Sequence, residues 1–166
     1  MSATPAARSR KACAMTEHTK GTPALTLYYD GACAFCTDAM LTLRRHDRRG
    51  VLAFVDIAAP GFADFPPGTD MAALNARLHV VTADGRVLSG LDSMQAAYSL
   101  VGMGWAVLPL RIRLLRPALA WAYDHFARNR YRVSRLLGMR LPAPHCDGDV
   151  CYRGSPFTKG LRNERD

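Results

Sequence analysis

Leu25-Thr26-Leu27-Tyr28-Tyr29-Asp30-Gly31-Ala32-Cys33-Ala34-Phe35-Cys36 is the run around which the other 154 of 166 residues arrange themselves. It joins an apolar strand to an Asp-Gly break and then to two cysteines separated by two residues. A helical pattern continues from Cys33 to about Arg49. A Cys-x-x-Cys that closes a strand and opens a helix reads as a redox site.

The chemistry explains the placement. The thiolate is the nucleophile, and an ordinary cysteine is mostly protonated at neutral pH. At a helix start, unpaired N–H groups and the positive dipole end favour a thiolate by roughly 0.3–1 kcal/mol. The two-residue spacer brings the second sulfur round one turn, close enough to attack a mixed disulfide formed by the first. Cys33 is then the attacking thiol and Cys36 the resolving one. Cys36, Met40 and Leu43 share a helical stripe, which predicts that Cys36 faces inward and Cys33 outward. Arg44, Arg45, Arg48 and Arg49 crowd the end of the helix, where cations suit the dipole, and Gly50 is its expected stop. His46 reads as a solvated residue of that basic face. Asp30 has two readings: a turn or cap residue, or an acid–base partner for one of the thiols. A negative charge there raises a neighbouring thiol's pKa, against the helix dipole.

The run Tyr29-Asp30-Gly31-Ala32-Cys33-Ala34-Phe35-Cys36 closely resembles the signature of the DCC family of thiol–disulfide oxidoreductases. The likeness continues through Arg44-Arg45, Phe54-Val55-Asp56-Ile57, His79-Val80-Val81-Thr82-Ala83-Asp84-Gly85, Gly90-Leu91-Asp92-Ser93-Met94 and Asn129-Arg130-Tyr131. It spans roughly Leu25 to Gly138 and implies a thioredoxin-like fold and disulfide exchange.

Length and composition set the class. One domain of this size builds a real core without disulfide staples, and 49% hydrophobic residues is a globular composition. Five cysteines, unevenly placed, make no disulfide scaffold. The net charge of +8 is concentrated: residues 111–140 hold eight arginines against Asp124 alone. Such a helix suits an anionic lipid surface, an acidic partner or nucleic acid. A solvated helical face is the default reading, and no aromatic-interleaved motif supports nucleic-acid binding.

Residues 1–24 lack periodicity and aromatic residues and read as a tail containing Cys13. No apolar run suits a secretory signal, so the expected location is cytoplasmic. Residues 25–138 form the predicted domain. Val51–Ile57 is a second strand, making a parallel βαβ unit with the first. Asp70 caps a short helix from Met71 to about Ala76. Leu78–Thr82 and Val87–Ser89 flank Asp84-Gly85, a hairpin signal, and Asp92 or Ser93 opens a helix through Leu100. This order predicts a thioredoxin-like three-layer α/β/α arrangement with a central mixed sheet of about four strands, followed by a C-terminal helical extension.

One feature departs from the thioredoxin pattern. The position of the usual cis-proline falls at Arg77-Leu78, with no proline. A cis X-Pro bond shapes the backbone that receives a substrate chain. Arg77, Leu78, Gly31, Ala34 and Phe35 are therefore the predicted substrate-lining residues, with His79 a strand filler. Val101–Leu115 is apolar but broken by glycine, proline and arginine and too short to span a membrane. The default for Trp105, Leu108 and Leu110 is to pack under the following helix, Pro117 to about Leu137, with contact to a membrane or a partner protein as the alternative. There Leu119, Trp121, Ala122, Phe126 and Val133 form the apolar side, and Arg128, Arg132 and Arg135 face out.

Residues 139–166 read as a flexible tail. Its Cys146 and Cys151 are free thiols, a local disulfide, or, with His145, zinc donors beside Cys33 and Cys36. The zinc site and basic-helix docking are the non-catalytic alternatives. The preferred reading is a monomeric thiol–disulfide oxidoreductase with no metal or cofactor. It would act on a protein or small-molecule disulfide and be recharged by a thiol reductant.

Overall fold

The computed structural model describes residues 22–141, 145–147 and 150–152. The expectations for residues 1–21, Cys13 among them, and for the side chains of His145, Cys146 and Cys151 lie outside the described residues.

Alternation along the first strand builds both faces of the sheet. β1 (Leu25–Tyr29) sends Leu25, Leu27 and Tyr29 into one core and Tyr28 into another, as a period of two dictates. β2 (Leu52–Asp56) runs parallel to it with Phe54 opposite Leu27. β3 (His79–Thr82) runs antiparallel on its other side with Val80 opposite Leu27, and β4 (Val87–Ser89) continues antiparallel at the edge. The order β2-β1-β3-β4 places β1, the strand that delivers the cysteines, between two hydrogen-bonded neighbours.

Helices cover both faces. α1 (Ala34–His46) contributes Met40 and Leu43, and α3 (Leu91–Leu100) contributes Ala97, to the core against Leu25, Leu27, Phe54 and Val80. α2 (Met71–Ala76) packs Leu74 against Tyr28 and Ile57 on the opposite face. The result is a thioredoxin-like α/β fold with a four-stranded mixed sheet. As read, α2 opens on Asp70, whose carboxylate accepts the Ala73 N–H at 2.7 Å. α1 stops at His46 rather than near Arg49. There Asp47 takes the chain out of the helix, its carboxylate accepting the N–H groups of Val51 and Leu52 at 3.1 and 2.9 Å.

The C-terminal half corrects three expectations. A 3-10 helix (Gly104–Arg111) buries Val107 and Leu110 but leaves Trp105 and Leu108 exposed. With three residues per turn, Trp105, Leu108 and Arg111 form one row and Val107 and Leu110 another, and only the second row meets the protein. α4 (Arg116–Leu136) buries Ala127, Arg130 and Ser134, while Trp121 and Ala122 are exposed. Its inner stripe is polar because it lies against the cysteine end of α1, where backbone and carboxylate groups need partners. Within the expected tail, His145–Asp147 pairs antiparallel with Val150–Tyr152, placing the backbone of Cys146 opposite that of Cys151.

Leu43, fully buried on α1, tests the packing that fixes the motif's helix to the sheet. Leu43→Ala is expected to cost about 2–5 kcal/mol of unfolding free energy, read as a lowered urea midpoint at unchanged slope.

Candidate active site

Cys33 is the N-cap of α1. Its backbone is extended, and its Sγ accepts the Cys36 N–H at 3.2 Å, so a sulfur takes the place usually held by a serine or aspartate oxygen. The Cys33 carbonyl accepts the Thr37 N–H at 3.0 Å, beginning the helix. Asp30, which the sequence allows as a cap, makes the turn instead: its Oδ1 accepts the Ala32 N–H at 2.9 Å.

The two thiols are coupled and unlike. The Cys36 thiol, hydrogen-bonded to Cys33, draws the Cys33 pKa down to about 7, opposed by burial and aided by the Cys36 N–H and the Ser134 hydroxyl. Cys36 moves the other way, well above the usual thiol range. Its hydrogen bond to Cys33, burial and the negative Cys33 sulfur all hold its proton, while the Arg130 cation works against them. Of the two sulfurs Cys33 is the one that ionises first, and near pH 7 about half of it is thiolate.

Accessibility runs opposite to the sequence expectation. Cys33 is 0% exposed, and Cys36 is half-buried. Cys33 lies in phase with Thr37 and Met40, the buried residues one and two turns on, and the polar stripe of α4 closes over that end of the helix. Ser134 Oγ accepts the Phe35 N–H at 3.3 Å and donates to the Arg130 carbonyl at 2.8 Å. Phe35 meets Phe126 edge-on with ring centres 4.7 Å apart.

Asp30 is buried and fully engaged. Its Oδ2 accepts Arg130 Nη2 at 2.7 Å and the Tyr131 hydroxyl. Arg130 also donates to the Asn75 carbonyl, joining α2 to α4. A second carboxylate, Asp56 at the end of β2, accepts the Gly31 N–H at 2.9 Å and the Ala58 N–H at 2.8 Å. Burial raises the Asp56 pKa; those two N–H groups oppose the shift, and the nearby Asp30 charge adds to it. Gly31 is a glycine for steric reasons, since a β-carbon there would overlap the Asp56 carboxylate.

The family model for DCC1-like thiol-disulfide oxidoreductase matches residues 27–136. The chain belongs to this family. A curated relative from Arabidopsis thaliana, named "Uncharacterized protein At5g50100, chloroplastic", is 25% identical over 112 residues, covering 66% of this chain and 52% of the relative. The chain therefore spans about half the length of the curated relative it matches. No solved structure matches it.

The residues that the sequence assigns to substrate in this DCC1-like domain fall in two groups. Gly31, Ala34 and Phe35 surround the cysteines. Arg77 and Leu78 lie at the start of β3, where no peptide bond among the described residues is cis. Both are tied to α4: Arg77 Nη2 pairs with Asp124 at 3.0 Å, and the Leu78 N–H donates to the Tyr123 hydroxyl at 3.0 Å. An arriving peptide would have to displace Tyr123 to use that N–H. His79 is buried, its Nδ1 2.9 Å from the Arg77 carbonyl. Sequence reasoning missed Arg130, Tyr131 and Ser134 as neighbours of the motif. Their one signal was the Asn129-Arg130-Tyr131 run, because an arginine on a basic helix otherwise reads as solvated. The zinc reading needed His145, Cys146 or Cys151, whose side chains lie outside the described residues. Among the described residues no group of three or more His, Cys, Asp or Glu side chains is arranged to hold a metal ion.

Two measurements check this geometry. Thiolate absorbance of the reduced protein is expected to rise with a midpoint near pH 7. In Cys36→Ala the midpoint moves upward toward the ordinary thiol value, because the largest lowering influence is gone. Arg130→Ala strands the Asp30 carboxylate in a buried site, and an unfolding free energy lower by about 3–5 kcal/mol is expected.

Proposed function

We propose that this chain is a protein- or small-molecule-disulfide oxidoreductase that cycles Cys33 and Cys36 between dithiol and disulfide. The observation that carries the reading is the placement of the sulfurs: Cys33 caps α1 with its Sγ accepting the Cys36 N–H at 3.2 Å, an arrangement in which the Cys33 pKa falls to about 7 while Cys36 keeps its proton.

In the first step the Cys33 thiolate attacks one sulfur of a substrate disulfide. A Cys33–substrate S–S bond forms, the substrate's own S–S bond breaks, and the departing thiolate takes a proton from water. That step also prepares the second. The Cys33 charge and its hydrogen-bond acceptor are consumed in the mixed disulfide, so two of the influences holding the Cys36 proton vanish, while Arg130 continues to favour a negative sulfur. Cys36 then releases its proton to water and attacks Cys33 Sγ. The second substrate thiol leaves, and two electrons have passed from the protein to the substrate. An external thiol reductant returns the Cys33–Cys36 disulfide to the dithiol.

Asp30 acts in this scheme as a positioning residue. Its oxygens are occupied by Ala32, Arg130 and Tyr131, so it holds the turn and the cation beside Cys36 rather than relaying a proton. Because Cys33 is enclosed, attack requires the contacts of Phe35 with Ser134 and Phe126 of α4 to open.

Trapping tests the order of events. With a disulfide-bonded substrate, Cys36→Ser is expected to accumulate a mixed disulfide through Cys33, and Cys33→Ser is expected to lose turnover by about 100-fold or more. Full activity in Cys33→Ser sinks the proposal. A mixed disulfide trapped by Cys33→Ser instead would assign the attack to Cys36, the more accessible sulfur.

A further inference from the structure

The stretch from Trp105 to Trp121 is far more apolar on its outside than the rest of the described surface. Trp105 is 71% exposed, Leu108 52%, Leu114 91% and Trp121 68%, with Ile112 and Leu115 also exposed. Every residue from 111 to 118 is exposed. The exposure follows from local geometry. Val107 and Leu110 anchor the 3-10 helix from below, so the Trp105–Leu108–Arg111 row must point outward. Two turn hydrogen bonds to the Ile112 carbonyl, from Leu115 and Arg116, then fold residues 112–116 into a projecting corner. Ala118, Trp121 and His125, three and four residues apart and all exposed, carry the surface onto α4. An apolar surface of this extent marks an interaction site.

Its charges select the partner. Arg111, Arg113 and Arg116 alternate with the apolar residues. Arg116 pairs with Asp92, whereas Arg111 and Arg113 have no carboxylate partner among the described residues. A second copy docked face to face would bring these arginines against their own equivalents. Arginine is enriched in protein–protein interfaces too, but residues 104–121 hold three arginines and no acidic residue, which favours a surface of uniform negative charge. Tryptophan and leucine interleaved with arginine is the composition of a segment lying in a lipid interface, with side chains in the acyl boundary and guanidinium groups among phosphates. No helix among the described residues is long and apolar enough to cross a membrane, so the contact is with one leaflet.

We propose that the corner formed by the 3-10 helix and the start of α4 docks the protein on an anionic lipid surface, with Trp105, Leu108, Ile112, Leu114 and Leu115 inserted and Arg111 and Arg113 on the headgroups. This surface does not include the cysteine pair, so the proposal stands independently of the redox reading.

The protein holds its own reporters, since both of its tryptophans lie on the proposed face. The full chain is mixed with vesicles of roughly 3:1 phosphatidylcholine to phosphatidylglycerol at low salt. Sedimentation with the vesicles and a blue shift of tryptophan emission are expected, with both effects weakened at about 0.5 M salt. Vesicles of phosphatidylcholine alone should bind at least about fivefold more weakly. Leu114→Ser/Leu115→Ser, two exposed positions, should lower binding about tenfold while the circular dichroism is unchanged. Trp121→Phe leaves Trp105 as the single reporter and should keep the shift. Absence of vesicle binding, or binding that ignores the leucine pair, overturns the proposal. So does a concentration-dependent dimer that shields Trp105 from a soluble quencher without lipid, which would make a second copy the occupant. Vesicle binding that appears only after removal of residues 142–166 also overturns it for the full chain, because this face would then be covered by the protein's own C-terminal segment.

Discussion

The buried ion pair between Asp30 and Arg130 ties the cysteine motif to a helix 100 residues further along the chain. Both partners are almost wholly enclosed, so each depends on the other for the charge compensation that water no longer supplies. Tyr131 and the Asn75 carbonyl complete the arrangement. Through it α4 is held where Ser134 reaches the first turn of α1 and where the Arg130 charge is felt by Cys36. Together with the Leu78–Tyr123 and Phe35–Phe126 contacts, that pair fixes a polar helix face against the cysteine end of the sheet.

A thioredoxin-like sheet thus carries an altered entrance. In place of a proline-shaped edge at the start of β3, the Leu78 N–H is taken by Tyr123, and Arg77 is paired with Asp124. Phe126 closes on Phe35. One helix therefore touches every segment expected to receive substrate. The arrangement protects a low-pKa thiolate inside the protein and leaves its protonated partner nearer the surface. Charge and access are divided between two sulfurs, and α4 covers the one with the lower pKa.

Local pattern carried the fold a long way. The apolar run of β1 read as a strand, and Asp70 capped α2 by the expected hydrogen bond. The hairpin at Asp84-Gly85 and the parallel pairing of β1 with β2 follow from turn chemistry and crossover length. The stripe argument for Cys36 failed because two overlapping stripes leave the first turn of α1, and the N-cap position folds the Cys33 sulfur back over the helix start. The apolar side assigned to α4 held only in part: Leu119, Phe126 and Val133 are partly buried, while Trp121 and Ala122 are exposed. Hydrophobic periodicity finds faces that meet a greasy core, and the inner face of α4 meets carboxylates and N–H groups instead.

The order of strands and helices, the cysteine spacing and the position of the sulfurs at a helix start were set by the amino-acid sequence, because each depends on residues within a few positions of one another. Which sulfur is covered, and what covers it, were decided by the tertiary structure. The cover comes from Ser134 and Phe126, residues brought beside the motif only when the chain closes on itself. The charge falls on Cys33 first through its hydrogen bonds from Cys36, three residues on, while burial and the Arg130 cation, which no local pattern reports, adjust the pair from outside.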